Sequence, residues 1–162
     1  MNKILKVEEG IKIAKKLREQ NKSIVLAGGI FDILHVGHIK FIENAKKVGN
    51  YLFILLESDE KAMATKGENR PINSQKERAF MLSTIKDIDY IVMLPHMKKD
   101  EDYDKLVAQI KPSIVATTYK DPYIIHKQRQ ARRLGFKVVY VINKIRGSST
   151  TKLAKIIEEK DL

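Results

Sequence analysis

The 162 residues hold 31 lysines and arginines against 20 aspartates and glutamates, a formal net charge of +11, with 43% hydrophobic residues and no cysteine. Such a composition describes a globular chain long enough for one buried core, and it excludes disulfides, thiolate metal ligands and cysteine nucleophiles. No apolar stretch approaches the roughly 20 residues of a membrane-spanning helix, and the acidic residues of the opening "MNKILKVEEG" replace the apolar segment of a secretory signal, so a cytoplasmic location and an anionic partner are expected.

Along the chain, Ile11, Ile13, Ala14 and Leu17 carry a helical spacing that predicts a helix over 7–20. "SIVLAGG" follows, a short β-branched run stopped by glycines and read as a buried strand. Val36, Ile39, Ile42 and Ala45 then recur every third residue, predicting a helix over 36–49. "YLFILLES" is apolar without alternation, as expected of a parallel strand covered on both faces. Residues 75–86 return to helical spacing, "DYIVMLP" is a third strand, and "EDYDKLVAQIK" is a helix. "SIVATT" makes a fourth strand, "YIIHKQRQARRLG" a helix, "KVVYVI" a fifth strand and "STTKLAKIIEEK" a closing helix. Five rounds of alternation predict one parallel α/β domain over 1–162, with five strands, helices on both faces and right-handed crossovers.

In such a sheet ligands bind at the carboxyl ends of the strands, near the point where strand order reverses. The loop after the first strand reads "GGIFDILHVGH" and places two of the four histidines, His35 and His38, three residues apart. On the first turn of a helix both rings face the same way, beside free N–H groups that favour a phosphate. Gly28 and Gly29 let the backbone approach a ligand closely, Gly37 removes a side chain between the histidines, and Asp32 is a candidate to close the loop. A ring that only caps the helix, with its neighbour filling a pocket, is the structural alternative. Lys66 stands in a loop after the second strand, where it is a candidate cation for phosphate. In "GSSTT", Ser149 or Thr150 can cap the last helix while other hydroxyls and amides hold a β- or γ-phosphate.

"FDILHVGH", together with the Ser-Thr loop, resembles the HxGH signature of the cytidylyltransferase-like nucleotidyltransferases. The likeness covers nearly the whole chain. Within that family it is strongest to the adenylyltransferase domains of the ADP-heptose synthases, through "KGENRPINSQKER" and "GSSTTKL", and it extends to the glycerol-3-phosphate cytidylyltransferases through "LHVGHIK". The resemblance implies a Rossmann-like sheet of order 3-2-1-4-5, with residues 1–21 as an N-terminal helical extension. It implies that an acceptor phosphate attacks the α-phosphorus of ATP or CTP in line, that pyrophosphate leaves, and that Mg2+ accompanies the triphosphate. His35, His38 and Lys66 take the catalytic places. Gly28, Gly29, Ile30, Phe31 and Gly37 hold the nucleotide with Gly147, Ser148, Ser149, Thr150 and Thr151, with Lys144 or Arg146 adding charge. Arg70 and Arg78 are the candidates for the acceptor.

The chain departs from the heptose enzymes in two places. Gly28-Gly29-Ile30 stands where they carry Asn-Gly-Cys, and "TYKD", Thr118 to Asp121, replaces a Gly-Asp segment that contacts base or acceptor in relatives. No segment resembles their sugar-kinase domain. His96 and His126 match no motif and are read as surface residues, and no carboxylate cluster marks a resident metal. A sugar phosphate is the first acceptor class. A polyol phosphate with CTP, or flavin mononucleotide with ATP, is the second reading, and a non-catalytic basic nucleotide- or RNA-binding protein is a third of another kind. The absence of an RNA-binding motif or aromatic platform removes nucleic acid from the expected partners. Homodimerisation is left open.

Overall fold

The computed structural model describes residues 2–119 and 121–142. In chain order the elements are β1 (Ile4–Leu5), α1 (Val7–Glu19), β2 (Ile24–Gly29), α2 (Val36–Lys47), β3 (Tyr51–Leu56) and α3 (Asp59–Lys66), followed by α4 (Gln75–Ser83), β4 (Tyr90–Met93), α5 (Asp100–Ile110), β5 (Ile114–Thr118), α6 (Ile124–Leu134) and β6 (Lys137–Ile142). The strands form one parallel sheet in the order β1-β4-β3-β2-β5-β6.

Six strands therefore replace the five expected. The additional one, β1, is two residues long and shows no period of its own; it exists by pairing Ile4 with Ile91 and Leu5 with Val92 on the sheet's edge. The other five keep the expected order. A second element unread in the sequence is α3. Its Ser58 N-cap accepts a hydrogen bond from the Lys61 N–H at 3.1 Å, and Gly67 closes it at φ +112°. It buries only Ala62, so it carries almost no apolar stripe. Residues 84–86, expected to continue α4, lie outside it: the Thr84 N–H bonds back to Met81 O at 3.3 Å.

Alternation along the strands divides the core. Leu26, Phe53, Leu55, Val92 and Val115 face α1 and α5, while Val25, Leu52, Ile54, Leu56 and Ala116 face α2 and α4. Both faces of β3 are thereby covered, which is why its sequence does not alternate. Burial of a side chain such as Ile54 or Leu56 contributes about 1.5–3 kcal/mol. Ala14 and Leu17 of α1 join the first of these clusters, so this helix is part of the same core. The chain leaves β2 for β3 on one side and returns to β5 on the other. The switch point of the sheet thus lies at the carboxyl end of β2.

Candidate active site at the sheet switch point

Gly28 and Gly29 end β2, and the loop beyond them turns at Phe31, whose φ of +50° is unusual for a residue with a side chain. Burial of the Phe31 ring holds that conformation. The glycine at 29 answers a need different from the one expected. A Cβ there would lie 2.8 Å from Phe31 Cε2, so the missing side chain makes room for the phenyl ring before it makes room for any ligand.

Phe31 in turn rests on His38, ring centroids 5.2 Å apart. His35 is the N-cap of α2 rather than a member of its first turn, and its Nδ1 accepts a hydrogen bond from the Gly37 N–H at 3.0 Å. The two imidazoles stack, with centroids 3.9 Å apart and planes at 25°. Capping and ligand binding are compatible, because the cap uses one nitrogen of His35. The Nδ1 of His38 is buried and has no hydrogen-bond partner among the described residues. Burial lowers the pKa of both rings. That of His38 falls to about 4, pushed further by the adjacent His35 and by the charge of Lys66. Both rings are therefore neutral near pH 7.

Lys66 is the last residue of α3 rather than a loop residue. Beyond it the chain returns to the first loop through Asp32. The Asp32 carboxylate, 1% exposed, accepts from Arg70 Nε at 2.6 Å and from the backbone N–H groups of Ile72 and Asn73 at 2.9 Å. The Asn73 side-chain amide donates to Asp32 O at 2.8 Å. Burial alone would raise this carboxyl, but the N–H groups of Asn73 and Ile72 and the Arg70 guanidinium hold it below its ordinary value. Asp32 therefore closes not its own loop but the junction of two loops, and it fixes Arg70 at the rim of the site.

Arg78 departs from the expectation for it. It is 0% exposed, and its Nε, Nη1 and Nη2 all donate to protein oxygens: Asn73 O, Ile30 O, Glu57 O and the Asp59 carboxylate. With four of its five N–H donors engaged, Arg78 braces both loops and the end of β3 and does not extend toward an acceptor.

A cavity of about 590 Å³ opens among these groups, lined by Gly28, Gly29, His38, Lys66 and Arg70 at one part of its wall. Its other walls come from residues the sequence reading passed over. Glu57, immediately after β3, faces Tyr103 of α5, and Lys127 of α6 pairs with Asp121 and Thr117. His126, expected at the surface, instead lines the cavity, its Nδ1 3.5 Å from Asp100 and its Nε2 3.5 Å from Asp104. His96 is exposed as expected. Glu57 had one signal, a carboxylate directly after an unbroken apolar run; Tyr103, His126 and Lys127 had none, because α5 and α6 reach the cavity only through tertiary packing. Gly147, Ser148, Ser149, Thr150 and Thr151, with Lys144, Arg146 and the closing helix, lie outside the described residues. Among the described residues no group of three or more His, Asp or Glu side chains converges on one point as a metal cage.

A stacked histidine pair, two glycines at a strand end, a lysine and an arginine meet at the switch point, where open α/β sheets bind ligands. The cytidylyltransferase-like family profile matches residues 26–161. The chain belongs to the cytidylyltransferase-like family. Among curated relatives of this family member, the bifunctional protein HldE of Aliarcobacter butzleri (strain RM4018) is 36% identical over 156 residues, covering 95% of this chain and 31% of the relative. HldE of Campylobacter jejuni (strain RM1221) is 34% identical over 158 residues, covering 96% and 32%. The chain thus spans about a third of the length of these relatives. Among solved structures, the lipopolysaccharide core biosynthesis protein of Thermoplasma volcanium GSS1 superposes with a TM-score of 0.62 at 28% identity, over 78% of this chain and 99% of that one. The pantoate-beta-alanine ligase of Francisella tularensis, solved with beta-gamma ATP and beta-alanine, gives 0.62 at 13% identity over 98% and 78%, a likeness of fold. In this cytidylyltransferase-like chain no helix among the described residues is long and apolar enough to cross a membrane.

Proposed function

We propose that the chain is a nucleotidyltransferase that moves the nucleoside monophosphate of ATP, or of CTP, onto the phosphate of a small phosphorylated acceptor, a sugar phosphate in the first place, and releases pyrophosphate. An oxygen of the acceptor phosphate attacks the α-phosphorus, a new P–O–P link forms, and the bond to the bridging oxygen of pyrophosphate breaks with its electron pair leaving on that oxygen. No covalent enzyme intermediate and no redox partner are needed. The protein's task is to position two anions and stabilise charge on phosphoryl oxygens.

The observation that carries this reading is the stacked His35–His38 pair, with its unpartnered Nδ1, at the carboxyl end of β2. Neutral imidazoles each supply a hydrogen-bond donor to a phosphate without burying a charge of their own. Gly28, Gly29, Ile30, Phe31 and Gly37 form the nucleotide's side, and the family resemblance assigns Gly147 to Thr151 to the nucleotide as well. Lys66 and Arg70 meet phosphate charge, and Arg78 holds the loops in register. Magnesium would accompany the triphosphate, near Lys66 and Arg70, and its charge would lessen the repulsion between the two phosphates. Cations and neutral donors at the rim fit such a metal–nucleotide. ATP is put first because the likeness to HldE extends over 95% of the chain; the cytoplasm is the proposed location.

Pyrophosphate release tests the reading. ATP and CTP are each incubated with a hexose 1-phosphate, glycerol 3-phosphate, flavin mononucleotide or no acceptor. Acceptor-dependent pyrophosphate with one pair is the expected result. Nucleotide binding without acceptor-dependent release from any pair would favour a non-catalytic nucleotide-binding protein.

A further inference from the structure

The cavity has a second polar wall whose chemistry differs from that of the phosphate end. Glu57 is anchored through its backbone: its N–H donates to Gly29 O at 3.1 Å and its carbonyl accepts from Arg78 at 2.9 Å. Its carboxylate is held by the Tyr103 hydroxyl, 3.0 and 2.9 Å from the two oxygens. Both side chains line the cavity beside an apolar surface of Leu26, Leu55, Val107 and Val115. Burial raises the Glu57 carboxyl, while the Tyr103 hydrogen bond and the charges of Lys61, Arg78 and His96 oppose that rise.

The hydrogen-bond inventory of this pair is one-sided. Tyr103 has one hydroxyl proton, and Glu57 takes it, so the phenol oxygen can only accept from a ligand. An ionised carboxylate also only accepts. Whatever occupies this wall must therefore donate. An ammonium group would donate too, but Lys61 and Arg78 already place positive charge toward Glu57, and the Lys61 ammonium lies 5.7 Å from the Tyr103 ring. A neutral donor, a hydroxyl, is what the wall lacks. We infer that Glu57, held in place by Tyr103, is the specificity determinant for the acceptor: it accepts hydrogen bonds from hydroxyl groups of a polyol or sugar phosphate whose phosphate lies at Lys66 and Arg70. The phosphate end of this assignment rests on the nucleotidyl-transfer reading. The sugar end rests on Glu57 and Tyr103. A partly buried carboxylate left without its donor is costly, so such a wall selects strongly against acceptors that have no hydroxyl.

Calorimetry with a non-hydrolysable ATP analogue present tests this in wild type, Glu57→Gln and Tyr103→Phe, each checked by a thermal melt. Glu57→Gln is nearly isosteric, and Tyr103→Phe perturbs the same wall from another helix should the first variant fail to fold. The probes are a hexose 1-phosphate, glycerol 3-phosphate, methyl phosphate and phosphoethanolamine. Wild type should bind one of the hydroxylated phosphates about 10–100-fold more tightly than methyl phosphate, the range for hydrogen bonds to a charged group. In both variants that ratio should fall toward one. Equal ratios in wild type and variants, preference for phosphoethanolamine, or no binding of any hydroxylated phosphate would overturn the assignment. Turnover measured on the same samples separates the two claims: hydroxyl discrimination that depends on Glu57 but comes without pyrophosphate release would remove the transferase reading and leave this one standing.

Discussion

The imidazoles of His35 and His38 lie face to face at 3.9 Å, so protonating one ring makes protonating the other harder. Burial, the neighbouring ring and Lys66 keep His38 neutral down to about pH 4. The unfolded chain takes up that proton near 6.5, the folded chain only near 4. The stabilisation from the neutral ring is therefore complete above 6.5 and lost progressively as pH falls toward 4. Imidazole titration by NMR should give one ring with a pKa near 4. In Lys66→Met that value should rise toward 6.5, because one repelling charge is gone, and binding of a triphosphate should raise it in wild type. A His38 that titrates at its ordinary value in the unliganded protein would refute the enclosed geometry.

Loss of either histidine should lower kcat more than it raises KM, since only interactions stronger in the transition state speed the chemical step. A fall of about 10²–10³ is expected for each of His35→Ala and His38→Ala, the range for removing one such donor. The double variant should lose less than the product of the two, because the rings act as one stacked unit. His35→Ala should also melt at a lower temperature, for it removes the cap of α2 and costs about 1 kcal/mol. Destabilised variants with full turnover per folded molecule would make both rings structural.

Gly29→Val should weaken nucleotide binding through Phe31. The new Cβ at 2.8 Å from the Phe31 ring forces that ring to move, and His38 leans on it at 5.2 Å. Removing the ring in Gly29→Val/Phe31→Ala should recover part of the affinity if displacement of Phe31 is the cause. Calorimetry of ATP on both variants decides between this and a direct block of the phosphate, which the second substitution would not relieve.

Asp32→Asn should cost about 3–5 kcal/mol, the range for breaking a buried ion pair from one side, since Arg70 stays enclosed without its partner. Denaturant melts measure this. In protein still folded, KM for the acceptor should rise, because Arg70 is no longer held at the rim. An unchanged melt and unchanged KM would show that the clamp does not position the site.

Much of this molecule was legible in the chain because it depends on local pattern. Unbroken apolar runs such as "YLFILL" declare strands covered on both faces, glycines after "SIVLA" declare the end of a strand, and two histidines around Gly37 mark the start of the helix that follows. What the order of residues could not state are pairings made at long range. β1 is two residues that become a strand only against β4. The role of Gly29 follows from where the Phe31 ring lies. Arg78 and Asp32 carry charges that a sequence reading places at a surface or in a turn, yet folding directs one onto backbone carbonyls and the other onto Arg70, 38 positions away. Glu57 and Tyr103 stand 46 residues apart. Their meeting depends on α5 packing over the end of β3. Periodicity reports which face of an element is buried, and only tertiary packing decides which side chains share a wall.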